Sequence, residues 1–396
     1  MISLAEARSL IAEKISPLPA QPASLAMELS RVLREDIRAS EDMPAFDRSA
    51  MDGYAIGLDD DSKQFQIVGE IQPGAAPKFK ISHGECARIF TGAQIPDGAT
   101  QVLVQENVRA EGGYIIPSQR ARTTHIRKRG EDARKGDLLL SSGTRLGPGE
   151  LALLACLGVT APKVSPPVRV AHFVTGNELV EPSAKPGPGQ IRDSNSTLVA
   201  GLIRQFGGEI ARQENVADHF DQLLQKARDS EDNFDLMLVS GGASVGDYDF
   251  GRKLLRELGF EVHFEQINLR PGKPLVFATR ESQAAFIVPG NPVSHFVTLH
   301  VAVRLALERF AGAKAAWSPV KIRLAQHFNH RPDARETFWP ARAEIQNGEL
   351  VVRALRWQSS GDMTGLTGAN ALLPLGANTE APKTGDAVPV LLLEVP

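Results

Sequence analysis

The sequence is poor in cysteine. Cys86 and Cys156 are the only two in 396 residues. Their spacing matches no metal-binding pattern and two thiols cannot build a disulfide framework, so both read as small buried or half-buried side chains. Neither sign of charge dominates. The 44 basic and 47 acidic residues leave a net of -3, which gives no overall drive toward nucleic acid or an anionic membrane, although a local cluster could still hold an anion. No apolar run reaches the roughly 18 residues needed to span a bilayer. The first residues, MISLAEARSLIAEKI, are amphipathic and carry acids, with no basic segment before an apolar run. No secretory signal is expected, and the chain is expected to be soluble and cytoplasmic, with no membrane and no nucleic-acid partner. Several catalytic signatures are also missing: the nine histidines include no HExxH pair, and there is no Walker lysine and no GxGxxG. Gly242, Ser244 and Gly246 are spaced as G-x-S-x-G. They are flanked by Gly241 and Asp247 and have no matching histidine loop, so a nucleophilic serine is not expected.

What is present is enough apolar residue, 42%, for several cores. At this length more than one domain is expected. Leu4, Ala7, Leu10, Ile11 and Ile15 recur at helical spacing behind Ser3, a suitable N-cap. From about 44 to 133, QFQIVGEI, ECARIF and QVLVQE alternate with turns such as IQPG and PDG and read as a small β-rich unit. A helical stripe with Leu151, Leu154 and Ala155 ends at Gly158, and the Pro-rich connector APKVSPP follows. From Val168 onward strands and helices alternate: VRVAHFVT, a helix capped near Asp193 or Ser194, EIARQENV, a helix behind Asp218, FDLMLVS, a helix from Phe250, LVFAT, AFIVPG, and a last helix from about Val293 to Phe310. That rhythm implies a mostly parallel sheet covered on both faces, with ligands at the loops beyond the carboxyl ends of the strands. After about residue 316 the strand pattern returns and suggests a β-barrel or sandwich.

Several loops concentrate Gly, Pro, Asp and Ser. SGGASVGDYD, at 240–249, opens a helix after an apolar strand. Its Gly241, Gly242 and Gly246 would let backbone N–H groups near Ser244 approach an anion, and Asp247 and Asp249 beside that cradle suit a divalent cation such as Mg²⁺. LRPGKP fixes Arg270 and Lys273 on a Pro-bounded turn, a pairing that suits a small oxyanion, though an ordinary basic turn has the same letters. PGNPVS carries Asn291, Pro292 and Ser294 from a strand into a helix. VTGNELVE carries Glu178, and GQIRDSN ends in Asp193 and Asn195, where simple helix capping would also explain the acid. Nearer the N-terminus, MPAFDRSAMDGYA holds Asp47 and Asp52, FTGAQIPDGA holds Thr91, and RGEDARKGD holds Glu131 and Asp132; loop acids of this kind are often merely solvated.

Taken together, FDRSAMDGYA, IFTGAQIP, RKRGEDARKGD, TGNEL, IRDSN, SGGASVGDYD, RPGKP, PGNPVS and SSGDMTGLTGAN resemble the molybdopterin molybdenumtransferases, the MoeA and gephyrin E-domain family. The motifs occur in the family's order and cover nearly the whole chain. The resemblance implies a multidomain α/β plus β fold. Residues 1–43 and 134–166 would form a discontinuous linking domain, 44–133 an inserted β-rich domain, 167–315 a molybdopterin-binding α/β domain and 316–396 a C-terminal β-barrel. It also implies an elongated homodimer whose active cleft lies between the α/β domain of one subunit and the inserted domain of the other. The activity implied is insertion of molybdate into adenylylated molybdopterin with release of AMP, with Mg²⁺ as cofactor and molybdate as substrate. Contacts with the adenylyltransferase that supplies the substrate and with enzymes that accept the cofactor would follow.

Carried over by position, the family's functional acids fall on Asp52, Asp132, Glu178, Asp218 and Asp249, with Thr91 beside them and Glu178 and Asp249 as metal ligands. The oxyanion group falls on Arg270, Lys273, Pro274, Ser294 and Ser360. Asp193, Gly241, Gly242, Ser244, Gly246 and Asn291 are expected on the substrate side. The chain departs from the family pattern in carrying Arg270 where lysine is frequent, Gln266 where some relatives have lysine, Asn177 in the TGNEL turn, and Pro340 where a second arginine follows Arg335, unless Arg342 substitutes. Two other readings compete: a scaffold that binds cofactor precursors without inserting metal, and the molybdopterin adenylyltransferase, which the α/β segment alone also resembles.

Overall fold

The computed structural model describes residues 1–25, 30–120, 122–241, 248–314 and 318–393, with Tyr248 and Asp249 described by backbone alone. The chain groups into two compact units: Met1–Arg34 with Gly143–Leu151 and Thr160–Pro396, and Glu35–Ser142 with Ala152–Val159. Among the described residues no helix is long and apolar enough to cross a membrane.

Helix α1 (Leu4–Lys14) begins as its sequence predicts. Ser3 Oγ accepts from Glu6 N at 3.2 Å while the Glu6 carboxylate accepts from Ser3 N at 2.7 Å, a reciprocal cap that satisfies two donors the first turn would otherwise leave open. Leu4, Ala7 and Ile11 then share one buried face.

The smaller unit is a six-stranded sheet of β1 (Gly53–Ile56), β2 (Phe65–Ile71), β3 (Glu85–Ile89), β4 (Gln101–Val104), β5 (Val108–Glu111) and β6 (Tyr114–Pro117), in the order β4-β1-β3-β2-β6-β5. Alternate side chains feed two apolar clusters: Ala55, Ala87 and Val102 belong to one, and Tyr54, Ile56, Cys86 and Leu103 to the other. Cys86 is buried as expected, whereas Cys156 is exposed at the end of α2 (Pro148–Cys156), where Leu154 alone is fully buried.

The larger unit holds the α/β layers. In chain order these are β7 (Val168–Thr175), α3 (Asn195–Gln205), β8 (Gly208–Val216), α4 (Phe220–Arg228), β9 (Leu236–Ser240), α5 (Tyr248–Glu257), β10 (Glu261–Gln266), β11 (Pro274–Arg280), β12 (Gln283–Val288), α6 (Pro292–Thr298) and α7 (Arg304–Ala311). The sheet order is β8-β7-β9-β12-β11-β10. The first four strands are parallel; β11 alone is reversed, antiparallel to both β12 and β10, because the short link from β11 to β12 permits only a hairpin. Side chains alternate cleanly: Val170, Leu236 and Leu238 face one core with α1, α3, α6 and α7, while Phe173, Met237 and Val239 face another with α4 and α5. A π-helical stretch, Leu299–Val303, joins α6 to α7. The carbonyl of Val301 in that stretch accepts from Arg8 Nη1 of α1 at 2.6 Å.

The C-terminal strands β13 (Val320–Leu324), β14 (Glu336–Gln346), β15 (Glu349–Ala354), β16 (Ala371–Leu375) and β17 (Ala387–Leu392) pair in the order β14-β15-β13-β17-β16. A further pairing of β16 with β14 closes them into a barrel, which decides between the two sequence alternatives. Leu324, Trp339, Ala341, Val352 and Val390 fill its interior.

Ile11 is fully buried in the core that α1 shares with the α/β layers. Replacing it with Ala should destabilise the unit by about 2–5 kcal/mol through lost transfer energy and an unfilled cavity. Urea unfolding followed by circular dichroism checks this; a loss below about 1 kcal/mol would mean that α1 contributes little to the core.

Candidate functional site

The carboxyl ends of β7, β9 and β12 frame a cleft of about 930 Å³, lined among others by Thr175, Glu178, Asp193, Asp218, Gly241 and Asn291. Its floor requires glycine. Gly241 has φ +97°, and a Cβ there would stand 2.6 Å from the Thr175 carbonyl oxygen. Two loops at its mouth are tied reciprocally: Asn177 N donates to the Asp218 carboxylate at 3.3 Å, and Asp218 N donates to Asn177 Oδ1 at 3.1 Å. Asn177 therefore has a structural task in the TGNEL turn. Asp193 caps α3 by accepting from Ser196 N at 3.0 Å and Ser196 Oγ at 2.5 Å, so the capping explanation holds for a residue that also lines the cleft.

The turn Pro289–Asn291 lies between this cleft and a second pocket. Asn195 Nδ2 donates to the Gly290 carbonyl at 2.7 Å. Asn291 Nδ2 donates to Ser360 Oγ at 3.0 Å, and Val293 N donates to the Ser360 carbonyl at 3.0 Å. The first free N–H of α6 is thus spent on the barrel side of the unit and does not point at a ligand.

The second pocket, about 280 Å³, is lined by Arg270, Lys273, Ser294, Arg335, Trp357 and Ser360, and shares Pro274, Pro289 and Asn291 with the first. Leu269 and Arg270 pair in parallel with Glu336 and Thr337 of β14, which anchors the PGK turn to the barrel. Gly272 has φ +118°, and a Cβ there would stand 2.6 Å from Thr298 Cγ2, so no other residue fits the turn. Arg270 lies over the Trp357 ring at 5.5 Å from its centroid, and Trp357 meets Trp339 edge-on at 4.8 Å. Asp333 takes Arg335 through a two-pronged contact of 2.8 and 2.9 Å and Arg270 at 3.3 Å. Hydrogen bonding from Arg335 holds the Asp333 carboxyl at about 2. Lys273 is exposed and, among the described residues, has no ion-pair partner. Arg342 does not take the missing arginine's place: it reaches Glu344 at 3.3 Å and the Gly368 carbonyl at 3.1 Å, and it does not line the pocket. Gln266 lines neither cavity.

In the smaller unit Asp52 Oδ1 accepts from Thr91 N at 2.8 Å and Thr91 Oγ1 at 2.9 Å, and those bonds hold its carboxyl below the usual range. Asp132 is held by Arg127, with Arg48 at 4.0 Å. Asp47 takes Lys128 Nζ and Arg129 N, both at 2.8 Å. Gly242, Ser244, Gly246 and Asp247 lie outside the described residues, as does the side chain of Asp249. The sequence pattern does not mark Asp333 or Trp357, since an acid in a polar loop and a tryptophan after a strand carry no local sign of a ligand.

Asp333 also gives a stability test. A carboxyl whose folded value is depressed stabilises the fold above its unfolded value and loses that contribution as it protonates. Asp333→Asn should cost about 1 kcal/mol at neutral pH, allowing for solvent screening of a partly exposed cluster. The difference from wild type should shrink as the pH falls from about 4 toward 2, the value at which Asp333 titrates in the fold. Denaturant titrations of both proteins across that window check it, and a difference independent of pH would contradict it.

With this geometry in hand, three family profiles match along the chain. Residues 2–158 match the MoeA N-terminal region (domain I and II), 171–309 a probable molybdopterin binding domain, and 321–393 the MoeA C-terminal region (domain IV). A molybdopterin molybdenumtransferase of Nostoc sp. (strain PCC 7120) is 34% identical, covering 95% of this chain and 91% of its own length. One of Staphylococcus aureus (strain Mu50) is 28% identical, covering 99% and 96%. The crystal structure of the molybdopterin biosynthesis moeA protein from Pyrococcus horikoshii OT3, 28% identical, aligns with a TM-score of 0.83 over 99% of this chain and 100% of that one. Matches on both sides of the α/β segment leave the single-domain adenylyltransferase reading without support. The chain belongs to the molybdopterin molybdenumtransferase (MoeA) family.

Proposed function

We propose that the protein inserts molybdate into adenylylated molybdopterin and releases AMP, the final step of molybdenum-cofactor assembly. One observation carries the reading: an acid-lined cleft and a cationic pocket adjoin and share the residues Pro274, Pro289 and Asn291. A substrate whose phosphates occupy the cleft would present its neighbouring group to the pocket.

The pocket's charge suits molybdate. Among the described residues Arg270, Lys273 and Arg335 line the pocket and one carboxylate, Asp333, pairs with the two arginines, so the cations outnumber the acid by two. A doubly charged tetrahedral oxyanion balances them and receives charge-assisted hydrogen bonds, with the hydroxyls of Ser294 and Ser360 on the same wall. Asp333 and Trp357 limit where the Arg270 guanidinium can go, which lowers the entropy lost on binding.

The cleft suits the phosphates and their cation. Glu178 and Asp218 line it with hard carboxylate oxygens, the donor type that Mg²⁺ takes, and Asp249 on the first turn of α5 completes the expected set. The ion would neutralise charge that develops on the leaving phosphate. Asp193 and the Gly241 turn position the organic part; an oxygen of molybdate or water would attack the adenylyl phosphorus, the bridging P–O bond would break with its electron pair going to the pterin phosphate, and the adenylyl group would leave as AMP or as its molybdate anhydride, which water hydrolyses to AMP. Asp52, Thr91 and Asp132 belong to the same proposal as polar groups of the β-rich unit; the paired Asp52 and Thr91 are already fixed in orientation.

The active form in this reading is a cytoplasmic homodimer. Helix α2 leaves Ala152, Ala155 and Cys156 exposed, an apolar surface that a second copy would cover. Sedimentation at micromolar concentration should give twice the 42.8 kDa chain mass; a fully active monomer would contradict this.

Molybdate added to the protein with adenylylated molybdopterin should release AMP, and no release would overturn the function. In the same assay Lys273→Ala should raise the half-saturating molybdate concentration about tenfold, the loss of one exposed charge-assisted contact. Binding of the adenylylated pterin should change little. If pterin binding collapses while the molybdate requirement stays put, the PGK turn holds the organic substrate instead.

A further inference from the structure

Beneath the anion cleft runs a buried chain of side chains that the mechanism above does not use. Pro289 O is 2.7 Å from His295 Nδ1, His295 Nε2 is 2.9 Å from Ser240 Oγ, Ser240 Oγ is 2.5 Å from His172 Nε2, and His172 Nδ1 is 2.8 Å from Gln213 Nε2. His172, Ser240 and His295 are each at most 1% exposed. Burial pushes His295 down to about 4 and His172 down to about 3, so each ring carries one proton at neutral pH.

Only one assignment of hydrogens then satisfies every atom. A carbonyl can only accept, so the proton of His295 sits on Nδ1 and is donated to Pro289 O. Its Nε2 must accept, and takes the single hydrogen of Ser240. The Ser240 oxygen in turn accepts from His172 Nε2, which leaves His172 Nδ1 to accept from Gln213. The second amide hydrogen of Gln213 goes to Ser196 O at 3.0 Å, on the helix that Asp193 caps. The chain is directed, and it ends on the carbonyl of the turn that walls the cleft.

The next carbonyl of that turn, Gly290 O, is also held, by Asn195 Nδ2 at 2.7 Å. In a trans planar peptide the C=O and the following N–H point in opposite directions. Two successive carbonyls drawn into the protein therefore turn the N–H groups of Gly290 and Asn291 the other way, and those two residues line the cleft.

We propose that His295 is a positioning residue: backed by Ser240 and His172, it holds the Pro289 carbonyl inward so that the Gly290 and Asn291 N–H groups meet the phosphate of the nucleotide-bearing substrate. The inference rests on the reading of this cleft as the phosphate site and adds how the site is kept in shape. His295 acts through the turn and touches no substrate.

The test compares full-length His295→Leu, which removes the donor, with His295→Asn, whose Nδ2 can take the place of the lost Nδ1. The probe is AMP, measured by calorimetry, together with AMP-release kinetics. His295→Leu should weaken AMP binding about tenfold and raise KM for the adenylylated pterin alike, while kcat and the half-saturating molybdate concentration stay within about twofold. His295→Asn should recover most of the affinity, and Ser240→Ala, which unties the ring but leaves its bond to Pro289, should lose about threefold. Wild-type AMP affinity in His295→Leu would overturn the proposal. Equal loss in the Leu and Asn variants would also overturn it, since the effect would then be packing. Failure of the wild-type protein to bind AMP would remove the phosphate assignment itself and the inference with it.

Discussion

The candidate site depends on how Pro289, Gly290 and Asn291 are held. Their turn leaves β12, starts α6 and walls both cavities. Three groups of bonds fix it: His295 on the first carbonyl, Asn195 on the second, and Ser360 on the Asn291 amide and the Val293 N–H. The first two come from the α/β layers and the third from the loop before β16. A turn of three residues carries few degrees of freedom, and each polar group satisfied from a different direction removes one more. The Pro289 carbonyl and His295 are buried and costly to leave unpaired, so the start of the turn has little choice of conformation.

Charge is then distributed unevenly around that fixed turn. On one side the carboxylates Glu178, Asp193 and Asp218 line the cleft together with Arg192. On the other side Arg270, Lys273 and Arg335 outnumber Asp333. The acid does not cancel the pocket. It orients two guanidiniums, and in the proposed function the remaining positive charge is what the oxyanion meets. Arg270 in place of the lysine frequent in the family fits this arrangement, because a planar guanidinium can stack on Trp357 and still reach Asp333, which an ammonium cannot do equally well.

Much of this was legible in the sequence, for reasons that can be named. β7, β9 and β12 are mostly apolar runs followed by glycine or proline, and α3 lies between a capping acid and Gly207-Gly208. β10 was not expected because Glu261, His263, Glu265 and Gln266 dilute its two apolar residues at the sheet edge. The strand pattern alone leaves barrel and sandwich open, because closure rests on the pairing of β14 with β16, which sequence spacing does not encode; the barrel is implied by the family resemblance. The PGK and PGNP turns were found from their glycines and prolines. Asp333, Trp357 and the His172–Ser240–His295 chain were not, since the contacts that join Asp333 and Trp357 to Arg270, and Ser240 to both histidines, span tens of residues and no local pattern marks them. Arg342 was a reasonable substitute on paper, and only its contacts with Glu344 and Gly368 remove it from the pocket.

The central claim is that two distinct but adjoining subsites, one for phosphate and one for oxyanion, meet at Asn291. Calorimetric titration of molybdate into protein already saturated with AMP and Mg²⁺ tests it most directly. Separate subsites predict that molybdate still binds, with an affinity equal to or tighter than in the absence of AMP, because the nucleotide occupies the cleft and leaves Arg270 and Lys273 free. Loss of molybdate binding in proportion to AMP occupancy would show that the two anions compete for one site and would contradict the account.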